Sequence, residues 1–349
     1  MSLPKRLLGK TGFEITTVGF GAWAIGGSGW RYAWGAQDDA ESVAAIRHAV
    51  DRGINWIDTA AVYGLGHSEE VIGQALKDLP DADRPYVFTK AGLVWDEDDP
   101  GAAPLRIMRP DSVRREVEAS LRRLGVEAID LYQVHWPDTG ASVEWGEASG
   151  GAAPGALATP LEEYWQTMAD LKAEGKVRAI GLSNHDLAQL ERAAAVAPVD
   201  VLQPPFSAIN RTEAPAVDWA RRHGTGVIAY SPMQSGLLTG TFTKERVRAL
   251  PADDWRATSP DFTTNLDRNL ALVDALRPIA ARHGATVAEL SIAWVLAWPG
   301  ITAAIVGARR PAQIDGWLGA TSLHLIPADL TAITTALHTT TAGTGPLHP

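Results

Sequence analysis

The chain contains no cysteine. That removes disulfides, thiolate metal sites and cysteine nucleophiles, and it fits a reducing compartment. It also has no excess of positive charge. The formal net charge is -10 and the sequence pI about 5.4, which argues against a nucleic-acid or anionic-membrane partner. No window of about 20 apolar residues is present, so no segment reads as a membrane span. The N-terminal MSLPKRLLGKTG lacks the apolar stretch of a signal peptide. These absences predict a soluble, cytoplasmic protein. Two scarcities matter later. Most of the 31 basic residues are arginine, so a lysine at a strand end is less easily dismissed as decoration. No G-x-G-x-x-G follows the first strand; GFGAWAIGGSG has the wrong spacing and no helix directly after it, which argues against a dinucleotide-binding open sheet.

What is present is a regular alternation. Apolar runs of strand length are TTVGFGAW, INWIDTA, YVFTK, IDLYQVH, VRAIGLSN, VDVLQPP, TGVIAYSP and ITAAIVGA. Amphipathic stretches lie between them, several opening on acidic residues and ending at glycine, as DDAESVAAIRHAVDRG and PDSVRREVEASLRRLG do. The pattern predicts an α/β fold, a (β/α)8 TIM barrel forming one domain over 1–349. An open doubly wound sheet is the alternative that pattern alone leaves standing. Three segments break the rhythm. RLLGKTGFEITTV reads as a β-hairpin turning at Lys10, Thr11 and Gly12, placed to plug the bottom of the barrel. The stretch from Pro137 to Pro160 is rich in Gly, Ala and Ser without periodicity, and reads as a mobile substrate loop. The segment from about Gln234 to Pro260 is placed to fold over a cofactor.

Tryptophan is abundant, with 13 residues. Several follow strands: Trp23, Trp30, Trp34, Trp95, Trp136 and Trp145. They read either as ordinary packing or as the wall of an aromatic pocket, with Trp23 and Trp136 foremost.

Four polar residues sit at or just past strand ends. Asp58 closes INWID, Lys90 closes YVFTK, His135 closes IDLYQVH, and Tyr63 lies in DTAAVYG. On a barrel these ends share one rim, the face where barrel active sites sit. A phenol is a sluggish acid at neutral pH. An ammonium beside it is expected to lower its pKa. Asp58 would hold Lys90 charged, and His135 would hydrogen-bond a carbonyl oxygen. Together the four read as a proton-transfer device.

The residues GINWIDTAAVYGLGHSEEVIG, FTKAG, LRRLGVEAIDLYQVHWPD, LKAEGKVRAIGLSNHD, VLQPPFSAINR, IAYSPMQSGLLTG and VGARRPAQIDG make the chain resemble an aldo-keto reductase, in the family's order over nearly its whole length. Within the family it is most similar to the bacterial and potassium-channel-β-like branch. The resemblance implies Tyr63 as proton donor, Lys90 as its partner, Asp58 as the anchor of Lys90 and His135 as the carbonyl-orienting group. It implies NADPH across the barrel mouth, with NADH possible. Gly21, Ala22, Trp23 and Asp58 would border the cofactor. Ser183, Asn184 and Gln203 would hold the carboxamide and Tyr230 would stack on the nicotinamide. Ser231, Pro232, Gly236 and Leu237 would line the pyrophosphate, Gly307 and Ala308 would open a turn, Arg309 would face the 2′-phosphate and Gln313 the adenosine. The Glu-Asn pair that often follows this Gln is replaced by Gly316 and Trp317, which removes two adenine-side hydrogen-bonding groups. The substrate pocket is assigned to Trp23, Tyr63, Trp95, His135 and Trp136, with no metal. The function implied is reduction of aldehydes or ketones, or the reverse oxidation of a sugar or other alcohol. A small-molecule carbonyl or alcohol is the expected partner, and the sequence leaves oligomeric state open. The alternative is an NADPH-sensing regulatory protein like the channel β subunits. A third reading uses Lys90 as a Schiff-base nucleophile.

Overall fold

The structure is a computed structural model. It describes residues 2–349 except 78, 81–82, 144–148, 152, 157 and 252–253. Eight parallel strands close into a barrel. They are β3 (Val18–Gly21), β4 (Trp56–Asp58), β5 (Tyr86–Ala91), β8 (Ile129–Val134), β9 (Val177–Ser183), β10 (Val201–Gln203), β11 (Gly226–Ala229) and β12 (Ala303–Gly307). Each lies in one of the eight apolar runs, and β12 pairs with β3 to seal the ring. An open sheet is thereby excluded. The helices between strands are α1 (Asp39–Asp51), α2 (His67–Leu76), α3 (Pro110–Leu124), α4 (Leu161–Ala173), α5 (Leu187–Val196) and α6 (Ala214–His223). The last crossover carries α7 (Lys244–Arg248), α8 (Leu266–Arg282) and α9 (Val287–Leu296). Then α10 (Pro311–Asp315) and α11 (Pro327–Thr340) follow the barrel.

Cap chemistry accounts for several boundaries. The Asp38 carboxylate accepts the Glu41 N–H at the start of α1, and Asp186 with Gln189 forms a reciprocal cap on α5. Such caps are each worth about 1 kcal/mol. Gly125 ends α3 and Gly224 ends α6 in the left-handed conformation, where glycine carries no Cβ penalty.

The N-terminal hairpin forms as expected. β1 (Lys5–Leu7) pairs antiparallel with β2 (Glu14–Thr16). Leu8 and Ile15 are fully buried and join the barrel interior with Trp56, Phe88, Leu131 and Val201. The hairpin therefore plugs one end of the barrel. Burying each large side chain there contributes about 1.5–3 kcal/mol. Trp56 is the largest of them, and its indole N–H donates to Thr16 O at 2.8 Å. Its ring fits because position 19 is glycine: a Cβ there would come within 2.2 Å of it.

The strand period of two then sets the site. On β4, β5, β8 and β10 the residues two beyond the plugged layer also face inward. These are Asp58, Lys90, Gln133 and Gln203, all buried. The upper layer of the barrel interior is thus polar where the lower is apolar. Among the described residues no helix is long and apolar enough to cross a membrane.

Candidate active site

The polar layer is one hydrogen-bonded unit. The Lys90 ammonium donates to Asp58 Oδ2 at 2.6 Å and to Thr59 O at 2.7 Å. Asp58 Oδ1 accepts from the amides of Gln203 at 2.8 Å and Gln133 at 3.3 Å. The two glutamines are joined at 3.0 Å. Desolvation lowers the Lys90 pKa, and Asp58 opposes that pull through charge and hydrogen bonding. Lys90 is 1% exposed and does not border the cavity above it. A Schiff-base nucleophile must reach its substrate, so this position argues against that role.

Tyr63 sits directly above. Lys90 Nζ lies 5.2 Å from its ring centroid. The His135 ring meets it edge-on at 5.6 Å, and Trp23 and Trp30 flank it at 6.1 and 6.3 Å. The loop bearing Tyr63 packs against the loop bearing Trp23 because Gly26 and Gly64 touch. A Cβ on Gly64 would fall 2.0 Å from Gly26 O, and its φ of +63° also favours glycine. The four rim residues therefore converge.

Their electrostatics correct one expectation. The Tyr63 pKa is pushed well above its usual value, by burial first and then by Asp58 and Tyr230. The ammonium does not win because Asp58 neutralises it at contact distance, and the enclosed phenol loses its hydration. Burial and Lys90 likewise hold the His135 pKa well below the usual imidazole range. At neutral pH the site presents a protonated phenol and an uncharged imidazole.

A cavity of about 930 Å³ opens above this layer. Its aromatic half is walled by Trp23, Trp30, Tyr32, Trp34, Trp136 and Leu93 around Tyr63 and His135. Trp95 packs against the same aromatic cluster but does not border the cavity. Trp145 lies outside the described residues. Leu93 belongs to a short hairpin, β6 (Leu93–Val94) with β7 (Leu105–Arg106), which the sequence reading missed. Arg106 stacks beneath Trp136 at 5.1 Å. The described parts of the 137–160 loop are pinned to this wall. Asp138 accepts the N–H groups of Met108, Gly140 and Thr159, so one buried carboxylate fixes both ends of the loop. Tyr32 donates its O–H to Val143 O, and Gly150 N–H donates to Asn184 O at 2.8 Å.

The other half of the cavity is bordered by Gly21, Ala22, Ser183, Asn184, Gln203, Tyr230, Ser231, Pro232, Gly236, Gly307, Ala308, Arg309 and Gln313, together with Gly316 and Trp317. Leu237 is not among them: its side chain is fully buried in the outer core, and its N–H donates to Gln234 O at 3.0 Å. The Tyr230 O–H donates to Asn184 Oδ1 at 2.7 Å. Arg309 donates to Gln37 Oε1 at 2.6 Å, to Trp34 O at 3.2 Å and to Ala36 O. All three acceptors are neutral, whereas the neighbouring Arg310 pairs with Glu41 at 3.3 Å. Gln313 turns its oxygen back to the N–H groups of Arg309 and Arg310. The 234–260 segment reaches the cavity at Trp34: Trp255 meets Trp34 at 6.0 Å and the Arg256 guanidinium lies 4.8 Å over the Trp34 ring.

Sequence reasoning missed Gln133, Gln37 and the contacts of Trp255 and Arg256 with Trp34. Gln133 was findable, since it alternates with Leu131 on β8. Gln37 lies in a loop with no periodic signal. Among the described residues no group of three His, Asp or Glu is placed to hold a metal.

Behind the rim, Glu116 accepts the N–H of Gly92 at 2.9 Å and the Ser112 O–H at 3.2 Å. Desolvation raises its pKa to about 7. The folded state thus holds a proton that the unfolded chain releases near pH 4.5, so stability falls as pH rises from about 4.5 to about 7. A gap of this size amounts to about 3 kcal/mol. Glu116→Gln is expected to flatten that decline, with a higher urea midpoint than wild type at pH 8. Parallel pH–stability curves for the two proteins would contradict it.

The aldo/keto reductase family model matches residues 17–338. The chain is 35% identical over 336 residues to the aldo-keto reductase YhdN of Bacillus subtilis, covering 95% of this chain and 93% of that protein. It is 33% identical over 333 residues to the NADH-specific methylglyoxal reductase of Escherichia coli, covering 93% and 95%. Its fold matches the glycerol dehydrogenase AKR11B4 of Gluconobacter oxydans with a TM-score of 0.84 and 36% identity, over 98% of this chain and 97% of that one. The chain therefore belongs to the aldo/keto reductase family of nicotinamide-dependent oxidoreductases.

Proposed function

We propose that this chain, as one catalytic domain over 1–349, reduces aldehydes or ketones to alcohols with NADPH, using Tyr63 as the proton donor. The observation that carries the reading is the convergence of Tyr63 with His135 at 5.6 Å, above the Lys90–Asp58 pair, on the wall shared by the two halves of one cavity.

NADPH, when bound, supplies the hydride. The residues fit it. Arg309, whose hydrogen-bond acceptors among the described residues are neutral oxygens, points a guanidinium into a pocket bordered by Gln37, Gln313 and Arg310 and by the carboxylates Asp38 and Glu41, of which Glu41 is paired with Arg310; guanidinium favours phosphate. Tyr230 offers a ring face, and Ser183 and Asn184 offer amide and hydroxyl groups to the carboxamide. The chain's own chemistry is then proton transfer. His135 donates an N–H to the carbonyl oxygen and holds it near Tyr63. The Tyr63 O–H gives its proton to that oxygen as charge develops there. Lys90, held in place by Asp58 below, sets its ammonium 5.2 Å from the ring of the phenolate that remains and is the group that favours it. The Trp23, Trp30 and Trp136 walls exclude water and give an uncharged substrate a flat apolar surface.

Because the phenol stays protonated, reduction is expected to hold level from neutral pH to about 10, while alcohol oxidation climbs over the same range. The discriminating assay follows NADPH and NADH absorbance with methylglyoxal, aromatic aldehydes and sugars, and the reverse reaction with glycerol. The relatives named for methylglyoxal and glycerol make those two substrates the first to try. Absence of turnover with every carbonyl, alongside tight cofactor binding, would overturn the proposal.

NADPH preference is assigned to Arg309. Arg309→Ala is expected to raise the NADPH dissociation constant roughly 10- to 100-fold, the loss of charge-assisted hydrogen bonds. NADH is the internal control, since it lacks the 2′-phosphate. An equal loss for both cofactors would place the role of Arg309 in the 34–37 loop instead.

A further inference from the structure

Asn184 holds an unusual conformation for a side-chain-bearing residue, with φ of +59°. Few non-glycine residues sit there, asparagine being among those that tolerate it, and the surroundings help to hold it. Three of those surroundings are already on the rim. The Asn184 amide donates to His135 O at 2.9 Å, its oxygen accepts the Tyr230 O–H, and its own carbonyl accepts Gly150 N–H. The fourth lies behind it. His185 is 1% exposed, and its Nδ1 contacts Ser183 O at 2.7 Å, closing the corner from the far side. Its Nε2 meets the Tyr164 hydroxyl at 2.9 Å, and Tyr164 is 2% exposed on α4.

We propose that His185 and Tyr164 form a positioning pair that fixes the Ser183–Asn184 corner and thereby sets how tightly the nicotinamide cofactor is held. The proposal rests on the reading of Asn184 as a cofactor contact. The partners define one arrangement. Ser183 O can only accept, so Nδ1 carries the proton; Nε2 then accepts from the Tyr164 O–H. Burial holds the imidazole neutral, its pKa pulled down to about 4, which matches one donor and one acceptor. Both nitrogens are spent, so His185 orients and takes no part in proton transfer to substrate. The pair also ties the corner to α4, the helix that follows the 137–160 loop. That loop touches the same corner from the front through Gly150. Asn184 thus sits between the middle of that loop, at Gly150, and the helix that follows it.

Tyr164→Phe removes the hydroxyl and leaves His185 Nε2 a buried acceptor without a donor. The test titrates NADPH against intrinsic tryptophan fluorescence in wild type, Tyr164→Phe, Asn184→Ala and the double variant. Steady-state KM for a carbonyl and the melting temperature without cofactor are recorded for each. Each single variant is expected to weaken NADPH about tenfold, and in Tyr164→Phe the carbonyl KM should stay unchanged. The double variant should bind no more weakly than Asn184→Ala alone, because the pair acts only through Asn184. Unchanged NADPH affinity in Tyr164→Phe, or additive losses in the double variant, overturns the positioning role while leaving the Asn184 contact intact. Unchanged affinity in Asn184→Ala overturns the contact itself, and the inference with it. If Tyr164→Phe does not fold, His185→Gln takes its place: it keeps a donor and an acceptor, and affinity nearer to wild type than in His185→Leu is the supporting result.

Discussion

Tyr63→Phe is expected to lower the turnover number for carbonyl reduction by roughly 10²- to 10⁴-fold, with NADPH affinity within about twofold of wild type. The substitution deletes one oxygen and keeps the ring. Trp23 and Trp30 still pack against it, and the aromatic cluster around Ala60, Val62 and Leu93 loses no apolar contact. What disappears is the proton for the developing alkoxide. No neighbour can replace it well. Lys90 is covered by Asp58 and Thr59 O, and His135, with its pKa far below the usual range, offers an N–H that orients better than it ionises. Single-turnover decay of NADPH fluorescence isolates the chemical step from product release. Turnover within tenfold of wild type would remove Tyr63 from the proton-donor role.

The parts of this site that were legible in the sequence are those governed by short-range periodicity. Asp58, Lys90 and His135 each end an apolar run, and parallel strands of one barrel bring such ends to one rim whatever lies between them. Tyr63 followed because it is five residues beyond Asp58, with Gly64 and Gly66 to allow a tight return into α2. Trp95 went wrong because a residue after a strand can turn toward the cavity or behind it, and the β6–β7 hairpin that decides the matter has only two residues in each strand. Leu237 went wrong for a similar reason: a short one-turn helix at Leu237–Thr239 rotates it into the core. The direction of the Tyr63 shift was misjudged because sequence shows which charges are near but not how completely they cancel. At 2.6 Å Asp58 offsets the pull of Lys90 and itself raises the phenol's pKa, and desolvation outweighs both.

Breaking that pair is expected to be the most damaging change to the fold as well as to the chemistry. Lys90→Met leaves the Asp58 carboxylate in the barrel interior with, among the described residues, the amides of Gln133 and Gln203 as its side-chain donors. Asp58→Asn leaves an ammonium whose remaining described acceptor is Thr59 O. Each single change is expected to cost about 3–5 kcal/mol, the usual penalty for an uncompensated buried charge. The double variant Asp58→Asn/Lys90→Met removes both charges together. A methionine fills much of the lysine volume, and an asparagine can still bond both glutamines, so its cost should fall below that of either single change. The coupling read from urea unfolding at pH 7 should therefore be large, and favourable to the double variant. Activity should not follow the same path. The phenolate left on Tyr63 after proton transfer needs the ammonium beneath it, so the double variant is expected to be folded, to bind NADPH and to be nearly inactive. That dissociation of stability from turnover separates a site charge kept for catalysis from one kept for the fold. Restored activity in the double variant would make Lys90 a packing residue, and simple additivity of the two stability losses would mean that the pair is not a unit.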